Sequence, residues 1–215
     1  TWPGALSGLS LRNVRLSAYL AGGKKEKRIF AEQGEMLFTH FGVSGPLVLT
    51  LSSLLPEDLS LVRLSIDLKP ALDEKALDAR LVRDLRDLSR KQLVTVMDGL
   101  APHNLALTIL QLAGLSPALP ANALTHAQRR ALLQLFKALP LTRKALRGFS
   151  EAIITRGGVS VRDINPSTLE SKRLPGLYFA GEVLDVDATT GGFNLQIAFS
   201  TGALAGKSAA REVEP

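Results

Sequence analysis

The sequence predicts an α+β fold, and three observations carry that reading. The first 70 or so of the 215 residues alternate apolar and polar side chains, and the middle repeats leucines three and four apart. The last part returns to short apolar runs broken by glycine, then closes on one long helix. In "VRLSAYL", Val14, Leu16, Ala18 and Leu20 alternate with Arg15, Ser17 and Tyr19, the period of a half-buried strand. Gly22-Gly23 supplies a turn, and "KRIFAEQGEMLFTH" reads as two more strand-like pieces around Gly34. "LVRLSIDL" alternates again, with Val62, Leu64, Ile66 and Leu68 on one face. Antiparallel strands on short turns make a small barrel or sandwich. Between them, "GVSGPLVLTLSSLL" reads as a tight turn followed by a buried helix or strand, two options that periodicity does not separate.

Residues 71 to about 148 are helical in pattern. Leu77, Leu81, Leu85 and Leu88 fall three or four apart in "ALDEKALDARLVRDLRDLSRKQL", an amphipathic helix. "HNLALTILQLAGL" is a short apolar helix ending near Gly114. Thr125 and Gln128 form a Thr-x-x-Gln capping box ahead of "RRALLQLFKAL", whose inward face is Leu132, Leu133, Phe136 and Leu139 and which Pro140 stops. From Ser150 the strand pattern returns. "EAIITRGGVSV" runs into Gly157-Gly158, and "LPGLYFAGE" holds a fully apolar strand from Leu177 to Ala180. A helix from Asn194 to about Ala210 follows.

Composition narrows the function classes. Hydrophobic residues make up 46%, which excludes a disordered chain, and no apolar run reaches the ~18 residues of a spanning helix. Without cysteine, disulfides, zinc–thiolate sites and thiol catalysis are excluded, in keeping with a reducing cytoplasm. The net charge of +6 and pI near 9.8 raise nucleic acid as a partner. The basic residues are scattered, however: Lys24, Lys25, Lys27 and Arg28 near a turn, then Arg80, Arg83, Arg86, Arg90 and Lys91 on a helix. There Asp78, Asp84 and Asp87 interleave with the arginines as on a solvated helix face, so a nucleic-acid partner is disfavoured.

The chemistry concentrates in "GEVLDVDATTGGFNLQIAFSTGALAG", Gly181 to Gly206. Gly181 ends a buried strand where backbone can approach a ligand closely, and Glu182 stands next to it, able to accept hydrogen bonds from hydroxyls. Gly191-Gly192 turns the chain into the helix and leaves the amides near Phe193, Asn194 and Leu195 facing outward, an arrangement that favours an electron-rich oxygen. Ala198, Gly202 and Gly206 share a helix face, but Asn194, Gln196, Ser200 and Thr201 argue against a membrane role for that spacing. A calcium loop is excluded by the spacing of Glu182, Asp185 and Asp187, so no metal is expected. A hydrolase elbow is excluded because "GVSGP" lacks the second glycine of G-x-S-x-G.

"LPGLYFAGEVLDVDATTGGFNLQIAFSTGALAG", preceded by "TRGGVSVRDINPSTLESK" and by "GEMLFTHFGVSGPLVL", resembles the YhiN/BaiN-like FAD-dependent oxidoreductases, the group that includes aminoacetone oxidase-like flavoproteins. The resemblance spans the chain in order and is weakest in the helical middle. It implies a β-barrel-like substrate-side domain at 1–70, a helical insert at 71–148 and a return to the barrel at 149–170. Residues 171–215 would be the C-terminal part of a split Rossmann-like FAD-binding domain. By the same resemblance Gly181 and Glu182 touch the ribityl–pyrophosphate part of FAD. Gly191, Gly192, Phe193, Asn194 and Leu195 sit at the isoalloxazine end, and Gly157, Gly158 and Val159 line the flavin from the other segment. Asp185 belongs to the motif without an assigned contact. His40, in "FTHFGVSGP", is the one catalytic candidate.

The G-x-G-x-x-G that opens such proteins is missing, and the chain begins "TWPGALSG". The expectation is a C-terminal fragment that needs an N-terminal Rossmann part of the same protein as its partner and is inactive alone. FAD is the expected cofactor, with NAD(P)H as reductant or oxygen as oxidant left open, and a small-molecule substrate of unspecified identity. Exposed strand edges in such a fragment would allow a homodimer. The alternative from another class is a stand-alone basic barrel and helical module that binds nucleic acid.

Overall fold

The computed structural model describes residues 2–21, 25–56, 58–142, 145–189 and 191–211, in two compact units, 1–144 and 145–215. The α+β class holds. In the first unit a short helix α1 (Trp2–Ala5) leads into two long strands, β1 (Ser10–Leu20) and β2 (Lys27–Thr39). A short β3 (Gly42–Ser44), a helix α2 (Pro46–Leu54), and β4 (Val62–Asp67) follow. With β5 (Leu139–Leu141) these make one antiparallel sheet of order β3-β2-β1-β4-β5, curled into a half-barrel. The expected alternation is present: Val14, Leu16 and Ala18 of β1 and Val62 and Ile66 of β4 are buried. The expected Gly22-Gly23 turn lies outside the described residues.

The expected break at Gly34 does not occur: β2 runs through it as one strand. A Cβ at Gly34 would lie 3.3 Å from Leu47 Cδ2, so the glycine makes room for α2 rather than for a turn. Pro46 at the start of α2 decides between helix and strand for that segment, since its ring presets a helical φ and its missing N–H is no loss at the first position. Gly45 ahead of it has φ 96°, and a Cβ there would come 3.1 Å from Leu37 N and Met36 Cα. Backbone thus packs on backbone, and α2 buries Leu47 and Leu51 against the sheet.

Four helices follow between β4 and β5: α3 (Glu74–Asp87), α4 (Leu93–Asp98), α5 (His103–Leu112) and α6 (His126–Lys137). Asp73 caps α3 by accepting from Ala76 N at 2.7 Å. The capping box at Thr125 is formed in both directions: Thr125 Oγ1 accepts from Gln128 N and Gln128 Oε1 from Thr125 N. Thr125→Ala should therefore cost about 1 kcal/mol, read as a lowered denaturation midpoint of the sole tryptophan's fluorescence. Leu77, Leu81, Leu132 and Phe136 are fully buried between the helices. Arg129 donates to both carboxylate oxygens of Asp78 (2.9 and 3.2 Å), joining α6 to α3. Lys137 pairs with Asp67 at 2.7 Å and donates to the carbonyls of Lys69 and Leu72, joining α6 to the end of β4. Pro140 does stop α6, and it stands in β5 at the edge of the sheet, where a missing N–H is tolerated.

The second unit is built mainly of turns around one helix, α7 (Phe193–Arg211). Residues 149–170, expected to rejoin the barrel, belong to this unit. The strand expected at Leu177–Ala180 is reduced to a single bridge, Glu170↔Tyr178. An apolar run makes a strand only where neighbours offer a ladder, and here the ladder is one short segment: Ser171 N donates to Leu177 O and Phe179 N to Leu169 O. The buried core of this unit is Ile164, Leu169, Leu184 and Ala205, far thinner than that of the first unit. Within it Phe193, Leu195 and Phe199 on α7 are well exposed. Among the described residues no helix is long and apolar enough to cross a membrane.

Candidate flavin-facing site

The second unit brings two of the motif segments side by side. Val159 N donates to Val183 O at 2.8 Å, and Asp185 N donates to Val159 O at 2.9 Å, a short parallel bridge. The bridge exists because Gly158 has no side chain: with φ 141°, a Cβ there would sit 2.4 Å from Val183 O. Thus Gly157, Gly158 and Val159 lie against the turn that carries Gly181, Glu182 and Asp185.

That turn, a single 3₁₀ turn over Gly181–Val183, is held on α7. Gly181 N donates to Thr201 Oγ1 at 2.9 Å, and the hydroxyl in turn donates to Ile197 O at 2.7 Å. A Cβ at Gly181 would be in ordinary contact, 3.8 Å from Ala198 Cβ, so it is the φ of 71° that calls for glycine there. Thr201 is a structural anchor of the candidate site that the sequence pattern does not mark, since its role depends on a residue 20 positions away.

The loop from Val186 into α7 is fastened by Asn194. Its Oδ1 accepts from Ala188 N at 2.8 Å and its Nδ2 donates to Ala188 O at 2.9 Å. The Asn194 side chain is therefore committed to its own loop. What Asn194 offers a ligand is its amide. The first helical bond of α7 runs from Gln196 N to Gly192 O at 3.0 Å, so the amides of Phe193, Asn194 and Leu195 lie ahead of it. Gly191 and Gly192 both hold positive φ, 123° and 90°, and nothing lies within 4 Å of a Cβ at Gly192. Glu182, Asp185 and Asp187 are exposed.

His40 belongs to the first unit. It lies exposed in the β2–β3 turn, its ring edge-on to Phe41 at 5.0 Å. The surrounding motif is accounted for by packing, through Gly34 and Gly45 beneath α2.

Comparison with known proteins shows the family. Residues 2–154 match the family described as HI0933-like protein barrel and H2TH domain. A 3-dehydro-bile acid delta(4,6)-reductase of Clostridium scindens is 32% identical over 200 residues, 92% of this chain and 49% of the relative. Ribosomal RNA dihydrouridine synthases of Escherichia coli and Haemophilus influenzae are each 32% identical, over 188 and 211 residues. Those alignments cover 85% and 97% of this chain, against 45% and 48% of the relatives. The chain thus spans about half the length of the curated relatives it matches. Its barrel-like sheet, helical unit and glycine-bearing C-terminal motif together make it a member of the HI0933-like family, the YhiN/BaiN-type proteins.

Proposed function

We propose that this chain is the flavin-facing and substrate-side part of an FAD-dependent reductase that saturates a carbon–carbon double bond conjugated to a carbonyl. The observation that carries the reading is the junction of Gly157–Val159 with Gly181–Asp185, held on α7 through Thr201. The donor set fits a flavin. Three amides at a helix start, without a partner among the described residues, suit an oxygen that gains negative charge, the bare backbone at Gly191-Gly192 admits a flat ring, and the Glu182 carboxylate suits ribityl hydroxyls. Bound there, FAD supplies hydride transfer, with a nicotinamide as the source of electrons.

The chain's own residues do the rest. Asn194 and Thr201 hold the loop and the 3₁₀ turn at fixed distance from the helix start, so the amides meet the ring edge without rearrangement. Phe193 and Leu195, exposed beside those amides, would be covered by the cofactor and by the dinucleotide-binding part of the full-length protein. The first unit is, by this reading, the substrate-side part, and His40 within it is the catalytic candidate.

The substrate class comes from what the relatives share. A bile-acid delta(4,6)-reductase acting on a 3-dehydro compound and a dihydrouridine synthase both add hydride to a double bond conjugated to a carbonyl. The test uses the full-length protein, purified and reconstituted with FAD, then assayed for NAD(P)H oxidation with a cyclic enone and with a uridine-bearing RNA. Flavin absorbance that survives desalting and substrate-dependent oxidation are expected. A colourless protein that cannot be reconstituted overturns the reading.

A further inference from the structure

The far end of α7 carries a cluster of side chains that the flavin-facing site does not use. Leu204, Lys207, Ser208 and Arg211 follow one another three and four positions apart, so they share one face of the helix. Leu204 packs on the small core of the second unit. The other three line a recess of about 260 Å³ whose opposite wall is Ser167, Thr168 and Tyr178.

That wall is a built turn. Asn165 Oδ1 accepts from Ser167 N at 2.9 Å, and Asn165 O accepts from Leu169 N at 2.7 Å. Leu169 holds φ 61°, a left-handed conformation that costs a residue with a side chain about 1–3 kcal/mol and is secured by burial of the leucine in the core. Thr168 Oγ1 accepts from Glu170 N at 3.3 Å, which leaves its own hydrogen to donate.

The helix dipole accounts for a cation in the last turn of α7, where Arg211 stands. It does not account for hydroxyls brought opposite from a distant turn. Lys207 and Arg211 are exposed, and neither has an ion-pair partner among the described residues. The Ser167 and Ser208 hydroxyls have no hydrogen-bond partner among those residues either. Nearby carboxylates are committed elsewhere: Asp163 pairs with Arg173 at 3.0 Å, and Glu170 accepts from Gly176 N at 2.8 Å. Two cations and three hydroxyls around one recess set the chemistry of its ligand. A phosphate monoester carries about −1.5 to −2 at pH 7 and three strong acceptor oxygens. The guanidinium fork takes two of those oxygens and the ammonium adds a point charge. A carboxylate, with one charge and two oxygens, would leave a cation and most of the hydroxyls unmatched.

We infer that this recess binds a phosphate group, free or as the monoester of a larger molecule such as a 2′-phosphorylated nicotinamide dinucleotide. The site is separate from the flavin-facing one, since Phe193 and Lys207 lie about 21 Å apart along α7 at ~1.5 Å per residue.

The test is isothermal titration calorimetry of the full-length protein with inorganic phosphate to ~10 mM, enough to saturate a site with a Kd of ~1 mM, and in separate arms with NADPH and NADH. The variants are K207Q/R211Q, S208A and, as a control with the same change of net charge on exposed residues of the first unit, K75Q/R90Q. K207Q/R211Q should weaken phosphate binding at least about tenfold, and S208A, with both charges in place, roughly fivefold. K75Q/R90Q should stay within about twofold of the unaltered protein. A preference for NADPH over NADH that K207Q/R211Q abolishes assigns the phosphate to the dinucleotide, and phosphate binding without that preference assigns it to the free ion. No phosphate binding by the unaltered protein overturns the site. So does an equal loss in the two double variants, which is a net-charge effect, or full binding by S208A, which leaves only cations at a helix end. Because binding is read without turnover, its failure beside a retained flavin leaves the reductase reading standing.

Discussion

Gly158→Ala is expected to unfasten the flavin-facing segment, whereas Gly157→Ala, one residue earlier, should cost far less. Both glycines have positive φ, 99° and 141°, a conformation that costs a residue with a side chain about 1–3 kcal/mol. Only at 158 does the added methyl meet an obstacle, the Val183 carbonyl oxygen at 2.4 Å. Carbonyl and methyl cannot both stay, so the Val159–Val183 and Asp185–Val159 hydrogen bonds must open, adding about 1–3 kcal/mol in the manner of overpacking. The sum, about 2–5 kcal/mol, is large for a unit whose buried core is four side chains, each contributing no more than about 1.5–3 kcal/mol. Native-state hydrogen exchange at the Val159 and Asp185 amides reads it directly: both should lose protection in G158A and keep most of it in G157A. In the full-length protein, flavin retention should follow the same order. Equal exchange in the two variants would remove close approach as the reason for the glycine.

Local pattern was legible where its cause is local. The alternation of Val14, Leu16 and Ala18 places β1, the spacing of Leu77 and Leu81 places α3, and Thr125 with Gln128 places the start of α6, because each signal and its structural consequence lie within a few residues. Gly34 misled for the opposite reason. Its absent side chain serves Leu47, 13 positions on, and within its own strand it looks like a turn. Leu177–Ala180 was read as a strand because four apolar residues between glycines satisfy every local criterion, yet a ladder needs neighbours. α4, with Val94, Thr95 and Val96, lacks helical propensity and forms through the burial of Leu93, Val96 and Met97, a tertiary override. At the candidate site the glycines and the helix start were legible by motif. The bridge from Val159 to Val183 and the clasp of Asn194 on Ala188 were not, since both are set by how distant turns meet. For the charges, the sequence shows cations and anions interleaved on α3, but which arginine lacks a partner is a property of the folded chain.

Phe136→Ala should be the most destabilising single truncation in the first unit's helical layer. The ring is fully buried on the inward face of α6, and the Phe136 carbonyl accepts from Leu68 N at 2.8 Å, just past the end of β4. One residue thus fixes both the side-chain and backbone contact between α6 and the sheet, and Lys137 beside it carries the ion pair to Asp67. Removing the ring loses its transfer free energy and leaves a cavity that neighbours bound to the sheet cannot close, about 3–5 kcal/mol. For a unit of this size that is a fall in Tm of roughly 10 °C. Trp2, the chain's sole tryptophan, packs 5.7 Å from Phe38 in the same unit and reports the transition by fluorescence. Val82→Ala on α3 serves as the contrast: that side chain is 43% exposed, and its loss should change the midpoint by no more than the ~0.5 kcal/mol of an ordinary surface substitution. If both variants melted alike, the α6 face would not be part of the cooperative core. The link between helices and sheet would then have to rest on the Arg129–Asp78 and Lys137–Asp67 pairs, which are too exposed or too costly to desolvate to hold it alone.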